Sequence, residues 1–135
     1  MDRKTLLRGI PLVLGLAVVA ACGGSSPPPP PVDGTVTFDW SLNGIKDANE
    51  CNFQDVATFD VVVTTPDGAP YAEFRESCDV FATTVTLPPG RYAANAVLLD
   101  PLNFERTTEI PVVPFDILGN TDLSIPLDFP ASSFK

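Results

Sequence analysis

The sequence contains no histidine, and this absence removes much of the usual catalytic chemistry. Histidine is the most frequent general acid and base, it activates serine and cysteine nucleophiles, and it is a common zinc ligand. Paired carboxylates could still hydrolyse a glycoside, but nothing in the sequence places two of them across a cleft. We therefore predict a protein that is not an enzyme, with no catalytic residue and no cofactor.

Basic residues are scarce, with 8 Lys and Arg against 17 Asp and Glu and a formal net charge of -9. Arg3, Lys4 and Arg8 belong to the amino-terminal segment, so the rest of the chain is more acidic still. The acidic residues between Asp33 and Asp128 form no run, which is typical of a solvated surface. Affinity for nucleic acid depends on basic groups that displace counterions from phosphates, so we expect no nucleic-acid partner.

The amino-terminal apolar run is too short to cross a bilayer as a helix, which takes about 20 residues. The run extends from Ile10 to Ala21, contains Pro11 and Gly15, and follows a basic start. This order is typical of a secretory signal. A buried core helix is the alternative, and the proline and the glycine disfavour it. We interpret residues 1–21 as a cleaved signal peptide.

The end of this run, Val19-Ala20-Ala21-Cys22, resembles the lipobox of bacterial lipoprotein precursors, which reads Leu-(Ala/Ser)-(Gly/Ala)-Cys. The small side chains of Ala20 and Ala21 leave the scissile backbone accessible to a peptidase. The resemblance implies that Cys22 is lipidated with a diacylglyceryl group, that the signal is cut before it, and that the new amino terminus is acylated. Several acyl chains, at about 0.8 kcal/mol per buried methylene, would anchor the chain stably in a membrane.

The residue after the cysteine bears on which membrane receives the protein. In the lipoprotein family an Asp at this position favours retention in the inner membrane, whereas this chain has Gly23. The resemblance therefore implies a lipid-anchored protein of the bacterial cell envelope, at the outer membrane rather than the inner one.

Residues 22–32 have the composition of a tether. Gly23, Gly24, Ser25 and Ser26 are followed by five prolines ending at Pro31. The prolines should form a stiff polyproline II rod of roughly 15 Å, at about 3.1 Å per residue. A proline-motif ligand for another domain is the alternative, and the position beside an anchor favours a spacer. We place the folded domain at residues 33–135.

Three cysteines are present, and lipidation of Cys22 would leave Cys51 and Cys78 as a pair. Export takes this pair to a compartment where disulfides form. A redox site, a thiolate metal site and two free buried thiols are the alternatives. There is no Cys-x-x-Cys motif and no histidine to complete a zinc site. We expect a structural disulfide, worth about 3 to 4 kcal/mol for a loop of this length.

Strand patterns dominate the domain. Apolar alternation or β-branched runs occur near residues 34–42, 59–65, 69–78, 81–87, 92–98, 104–113 and 123–129, with Gly, Pro or Asn turns between many of them. No stretch has a convincing helical period. Short strands at this spacing predict an all-β protein, an antiparallel β-sandwich of about seven strands. Trp40 alternates with apolar residues and should lie in the core; an exposed, ligand-stacking Trp is the alternative.

The segment Leu87-Pro88-Pro89-Gly90-Arg91-Tyr92 is similar to the recurring corner of transthyretin-like and carboxypeptidase regulatory-like domains. The resemblance covers roughly Asp33 to Phe129. It implies a small immunoglobulin-like sandwich with an accessory role in a secreted or cell-surface protein.

The first long loop holds the residues that could bind a ligand. Asp47, Asn49, Glu50 and Asp55 supply hard oxygen atoms of the kind that calcium prefers. The glycine and the distal glutamate of an EF-hand loop are missing, so we assign no metal ligand and keep these four as weak candidates. A polar loop held by Cys51 is the simpler interpretation.

These patterns predict a membrane-anchored envelope lipoprotein that acts as a non-enzymatic binding or scaffolding module. Its partner would be an envelope protein or a glycan, reached through loops or a sheet edge. The alternative is a calcium- or carbohydrate-binding lipoprotein that uses the loop from Asp47 to Asp55.

Overall fold

The computed structural model describes residues 23, 24 and 26–135 of the chain. The predicted signal peptide, residues 1–21, and the predicted lipidation site, Cys22, lie outside the described residues. No helix in the described part is long and apolar enough to span a membrane.

The described chain forms seven strands and one short α-helix. In chain order these are β1 (Gly34–Leu42), α1 (Ala48–Phe53), β2 (Thr58–Thr64), β3 (Pro70–Ser77), β4 (Ala82–Leu87), β5 (Gly90–Leu99), β6 (Ile110–Ile117) and β7 (Asp122–Phe129). Two single 3₁₀ turns, Cys78–Val80 and Ala131–Ser133, complete the secondary structure.

The strands form two sheets, which confirms the predicted all-β sandwich of seven strands. One sheet has the order β4-β1-β7 and the other has the order β3-β2-β5-β6. Four of the five strand pairs are antiparallel, whereas β1 and β7 are parallel. The alternation of side chains along a strand does not reveal the direction of its neighbour, so the parallel pair could not be read from the sequence.

The core lies between the two sheets and is built from the predicted alternation. Along β1, Val36, Phe38, Trp40 and Leu42 are fully buried, while the residues between them are half-buried. The Trp40 ring stacks on Phe59 of β2, with ring centroids 4.0 Å apart. Its indole Nε1 donates to the backbone oxygen of Cys78 at 3.0 Å. The predicted core position of Trp40 is confirmed.

The Pro-Pro-Gly corner takes the chain from one sheet to the other. Pro88 and Pro89 connect β4 to β5, which belong to different sheets. The hydroxyl of Tyr92 donates back to the oxygen of Pro88 at 2.8 Å. This bond resembles the tyrosine corner of immunoglobulin-type sandwiches, in which a tyrosine fixes a crossover between sheets.

Two elements differ from the sequence prediction. The polar loop before Asp55 contains α1, a helix of 6 residues that is too short to show a helical period. The strand predicted from Phe104 begins instead at Ile110, because Asp100 folds the preceding residues into a turn. The strand predicted near residues 69–78 is confirmed as β3, which has 8 residues. β3 and β6 form the two edges of the four-stranded sheet.

Cys51 and Cys78 form the expected disulfide, with their Cα atoms 6.1 Å apart. It joins α1 to the 3₁₀ turn that follows β3. Both cysteines are buried beside the core cluster. The bond therefore attaches the first long loop to the connection between the two sheets.

Replacing both cysteines by serine (C51S/C78S) should lower the free energy of unfolding by about 3 to 4 kcal/mol, because the unfolded chain regains the freedom of a 27-residue loop. Urea unfolding followed by Trp40 fluorescence measures the change. C22S serves as the control and should unfold with the parent's midpoint. Equal midpoints for the parent and the double variant would show that the disulfide does not stabilise the domain.

Candidate functional site

The two longest connections between strands lie at one end of the sandwich, together with a short one of four residues. Residues 43–57 join β1 to β2, residues 78–81 join β3 to β4, and residues 100–109 join β5 to β6. β1 and β7 run towards this end, and β4 runs away from it. The start of β1 therefore lies at the opposite end, where the connections are short turns. We call the surface formed by these three connections the loop face.

Covalent and hydrogen bonds hold the three connections together. The disulfide links the first to the second. The guanidinium of Arg106 links the third to the first, since its Nε donates to the oxygen of Gln54 at 3.0 Å. Its Nη1 donates to the oxygen of Lys135 at 2.7 Å, which adds the carboxyl-terminal segment. The loop face is therefore an ordered surface rather than a set of independent loops.

Helix α1 starts at a capping carboxylate. Asp47 is the N-cap, and its Oδ1 accepts the backbone N–H of Asn49 at 2.9 Å. Such a cap satisfies one of the free N–H groups of the first turn. One turn later, Gln54 donates to the side chain of Glu50 at 3.2 Å. The chain then leaves the helix through Asp55, which has a positive φ of 57°.

A second carboxylate shapes the connection between β5 and β6. Oδ1 of Asp100 accepts the backbone N–H groups of Leu102 and Phe104, both at 2.9 Å. The turn closes with Asn103 at a φ of 66°, in the left-handed region that asparagine tolerates. The side chains of Leu102 and Phe104 are 75% and 67% exposed. The fold thus holds two large apolar side chains in water on a defined turn.

A cleft of about 310 Å³ lies on the loop face beside the disulfide. Its lining comes from all three connections: Ala48, Cys51, Asn52, Asp55, Val56, Ala57, Ser77, Cys78, Asp79 and Pro101. The two carboxylates of the lining are Asp55, from the first connection, and Asp79, from the second. Asp79 also accepts a hydrogen bond from the hydroxyl of Ser77 at 2.5 Å. Asp79 was not predicted as a site residue, because it is far from Asp55 in the sequence and only the fold brings both to one cleft.

The four weak calcium candidates are not brought together as a ligand set. Asp47 caps α1, Glu50 accepts from Gln54, and only Asp55 lines the cleft. Among residues 23, 24 and 26–135, no group of three or more His, Cys, Asp or Glu side chains is placed to hold a metal ion.

A separate ionisable cluster lies on the outer face of the four-stranded sheet. Asp60 alternates with the core residues Phe59 and Val61, so its side chain points away from the core, yet it is only 6% exposed. Arg75, its partner across the β2–β3 pair, approaches Oδ2 at 3.3 Å and Glu73 at 3.1 Å. Oδ1 of Asp60 is buried and has no hydrogen-bond partner within the described residues.

Burial is the main cause that raises the pKa of Asp60 from its ordinary 3.8 to about 6, followed by its hydrogen bond to Glu73 and the negative charge of Glu73. Arg75 acts in the opposite direction. The same hydrogen bond, and then the one to Arg75, lower the pKa of Glu73. Of the two carboxyl groups, Asp60 therefore takes up a proton first as pH falls through about 6. In the sequence, Asp60 is the one charged residue inside the apolar run Phe59–Val63, and this pattern could have indicated a buried carboxylate.

An apolar groove of about 400 Å³ separates the edge strands β6 and β7. Pro111, Pro114 and Pro126 line it. At the two ends of the β1–β7 pair, Thr35 donates to Thr121 and Asn43 donates to Phe129. Since hydrogen-bonding direction alternates along a strand, the N–H groups of residues 123, 125, 127 and 129 face β1, and Pro126 faces the free edge. Prolines on an edge strand disfavour the addition of another strand.

No family model and no curated protein matches this chain. Among solved structures, it is similar to a leucine-rich repeat protein from Bacteroides thetaiotaomicron VPI-5482, with a TM-score of 0.43 and 17% sequence identity. The match covers 73% of this chain and 12% of that chain. This chain therefore spans about an eighth of the length of its neighbour. A similarity this low supports no conclusion about fold or function.

Calcium at millimolar concentration should leave the melting temperature unchanged, because the carboxylates of the first loop are used within the loop or lie apart. A ligand that binds the native state must raise the midpoint. Differential scanning calorimetry with calcium and with excess chelator tests this, and magnesium at the same ionic strength controls for charge screening. A midpoint that rises with calcium alone would restore the calcium hypothesis.

Asp60→Asn should stabilise the domain increasingly as pH rises. The folded pKa of Asp60 lies above its ordinary value, so its contribution to the free energy of unfolding is greatest below about pH 4, falls as pH rises towards 6 and is lost above it. Asparagine keeps a donor for Glu73 without the buried charge. The variant's advantage over the parent should grow by about 2 to 3 kcal/mol between pH 4 and pH 7.5.

Urea unfolding at both pH values measures the difference, and Asp116→Asn, which changes an exposed carboxylate, is the control. An advantage of equal size at pH 4 and pH 7.5 would contradict the assignment of a raised pKa to Asp60.

Proposed function

We propose that this protein is a lipid-anchored, non-enzymatic binding module of the bacterial cell envelope. Its loop face contacts a partner in the envelope, a protein or a glycan. The observation that carries the proposal is the opposite placement of the tether and the loop face on the sandwich. The proposal combines this geometry with the lipobox at Cys22 and the proline tether.

The start of the domain lies at the end opposite the loop face. The backbone N–H of Asn120, in the turn between β6 and β7, donates to the oxygen of Asp33 at 3.1 Å. The next residue, Gly34, is packed so closely that an added Cβ would lie 2.3 Å from the oxygen of Leu118. Only glycine fits this approach, so the point where the tether enters the sandwich is well defined.

The length of the sandwich separates the two ends. β1 has 9 residues, and a strand rises about 3.3 Å per residue, so the loop face stands roughly 30 Å from the entry of the tether. The five prolines of the tether add a stiff spacer of roughly 15 Å. A lipid on Cys22 would therefore leave the loop face directed away from the membrane that holds the anchor.

The loop face has the features expected of a contact surface. Phe53, Leu102 and Phe104 are each more than half exposed, and large apolar side chains held in water on ordered loops usually mark interaction sites. Loops positioned by a rigid scaffold are also the common carriers of binding function. The opposite end exposes Val32 and Leu118, which lie beside the entry of the tether.

Anchoring at Cys22 is tested on the protein from its source cell. We expect an intact mass equal to the chain from Cys22 to Lys135 plus acyl groups, and retention in the membrane fraction after a high-salt wash. Cys22→Ser should lose the acyl mass and the retention, whereas Ser26→Ala, four residues away, should keep both. An unmodified, soluble parent chain would overturn the proposal of a lipid anchor.

A further inference from the structure

We propose that the partner is a protein and that it inserts one basic side chain, an arginine or a lysine, into the cleft between Asp55 and Asp79. Apolar side chains around the cleft would pack against the surface that carries this residue. This inference rests on the proposed function and names the class of partner for the same loop face.

Exposed apolar residues follow lining residues of the cleft in the chain. Asn52, Asp79 and Pro101 line it, one from each connection. Each is followed in the chain by an exposed apolar residue: Phe53 is 82% exposed, Val80 53% and Leu102 75%. Phe104 belongs to the same turn as Leu102, since the backbone N–H of Asp100 donates to its oxygen at 2.8 Å. Each of the three connections thus adds an exposed apolar side chain next to a residue of the polar cleft, an arrangement that suits one buried anchor residue.

The charge of the loop face identifies the anchor as basic. The three connections hold seven acidic residues against two basic ones, a net charge of 2 − 7 = −5: Asp47, Glu50, Asp55, Asp79, Asp100, Glu105 and Glu109, with Lys46 and Arg106. Lys135 adds one positive charge and pairs with Glu105. A surface with this excess of negative charge attracts cationic partners and repels anionic ones.

The basic residues of this end do not neutralise the cleft. Lys46 pairs with Asp39 of β1, and Arg106 donates to backbone oxygens of Gln54 and Lys135. Neither Asp55 nor Asp79 forms an ion pair within the described residues. A partner's guanidinium or ammonium group would supply the missing charge and could donate to both carboxylates.

The size and chemistry of the cleft favour a side chain over a metal ion or a neutral glycan. Two carboxylates are too few oxygen ligands for calcium, which takes six to eight. A neutral glycan would gain nothing from the excess negative charge. The cleft's volume of about 310 Å³ is at the small end of ligand pockets, which suits one long side chain. Because the disulfide and Arg106 order the face beforehand, little freedom is lost on binding.

The test uses the full mature chain in lipid nanodiscs and a fluorescent nine-residue peptide with one central arginine flanked by leucine and phenylalanine. Its control is the same peptide with citrulline, which has the shape of arginine without the charge. Fluorescence anisotropy should show saturable binding of the arginine peptide and at least tenfold weaker binding of the citrulline peptide. Binding should also weaken as salt is raised. No saturable binding, or equal binding of the two peptides, would overturn the proposal.

Charge-matched variants locate the site. Asp55→Asn with Asp79→Asn should weaken binding of the arginine peptide at least tenfold. Asp33→Asn with Asp116→Asn removes the same charge from exposed positions near the tether end and should change binding less than twofold. Leu102→Ser should weaken binding by removing an apolar contact without adding a charge. Equal losses in the two double variants would show a general attraction of charge instead of a site. The citrulline comparison needs no variant, so it stands even if one variant misfolds.

A second measurement separates this inference from the proposed function. A photo-crosslinking residue at position 102 is compared in the source cell with one at Val113, which is 81% exposed on the edge strand β6. The proposed function and the inference both predict a crosslink at position 102 and none at position 113. The inference predicts in addition that the crosslinked partner is a protein, and that the crosslink weakens when Asp55 and Asp79 are both replaced by asparagine. A glycan at 102, a second copy of this chain, or a protein insensitive to the variant overturns the inference alone. No crosslink at 102 overturns the proposed function as well.

Discussion

The stack of Trp40 on Phe59 is the interaction on which the rest of the structure depends. It joins a central strand of one sheet to a strand of the other, with the ring planes 2° from parallel. Both residues are fully buried, and a pair of this size removes more apolar surface from water than any aliphatic pair in the core. The indole N–H also binds the oxygen of Cys78. The same side chain therefore sets the distance between the sheets and the position of the disulfide.

The connection from β3 to β4 links the Trp40–Phe59 stack in the core to the loop face. Phe81 follows the 3₁₀ turn with a φ of 60°, a conformation that is uncommon for a bulky residue. Its ring lies 6.4 Å from that of Trp40, and its oxygen accepts the backbone N–H of Trp40. Core packing thus holds Phe81 in a backbone conformation that a bulky residue rarely adopts. The cleft beside Cys78 is consequently supported by the core and not by the loop alone.

The two ends of the sandwich differ in their connections. The tether enters beside the turn between β6 and β7, where glycines at 34 and 119 allow close backbone contact. The other end carries the disulfide, the helix and the exposed side chains of Phe53, Leu102 and Phe104. Prolines on β6 and β7 protect the free edges between these ends. The connections of the loop face also carry seven acidic residues against two basic ones.

The amino-acid sequence by itself determined the layers of this fold and much of its core. Alternation along β1 and β7 placed their buried faces correctly, and the Pro-Pro-Gly corner marked a change of direction, because both signals are local and repeat every two residues. The Cys51–Cys78 pair also followed from the sequence, through the compartment that the signal and lipobox imply. The anchor itself remains a prediction from residues 1–22.

Only the tertiary structure decided how distant segments meet. The parallel pairing of β1 with β7, the meeting of Asp55 with Asp79 in one cleft, and the burial of Asp60 beneath Arg75 all join residues far apart in the chain or on different strands. Helix α1 is likewise made by one capping carboxylate and one disulfide, since 6 residues are too few to form a helix alone. Local patterns report which face of an element is buried; which elements meet depends on the packing of the whole core.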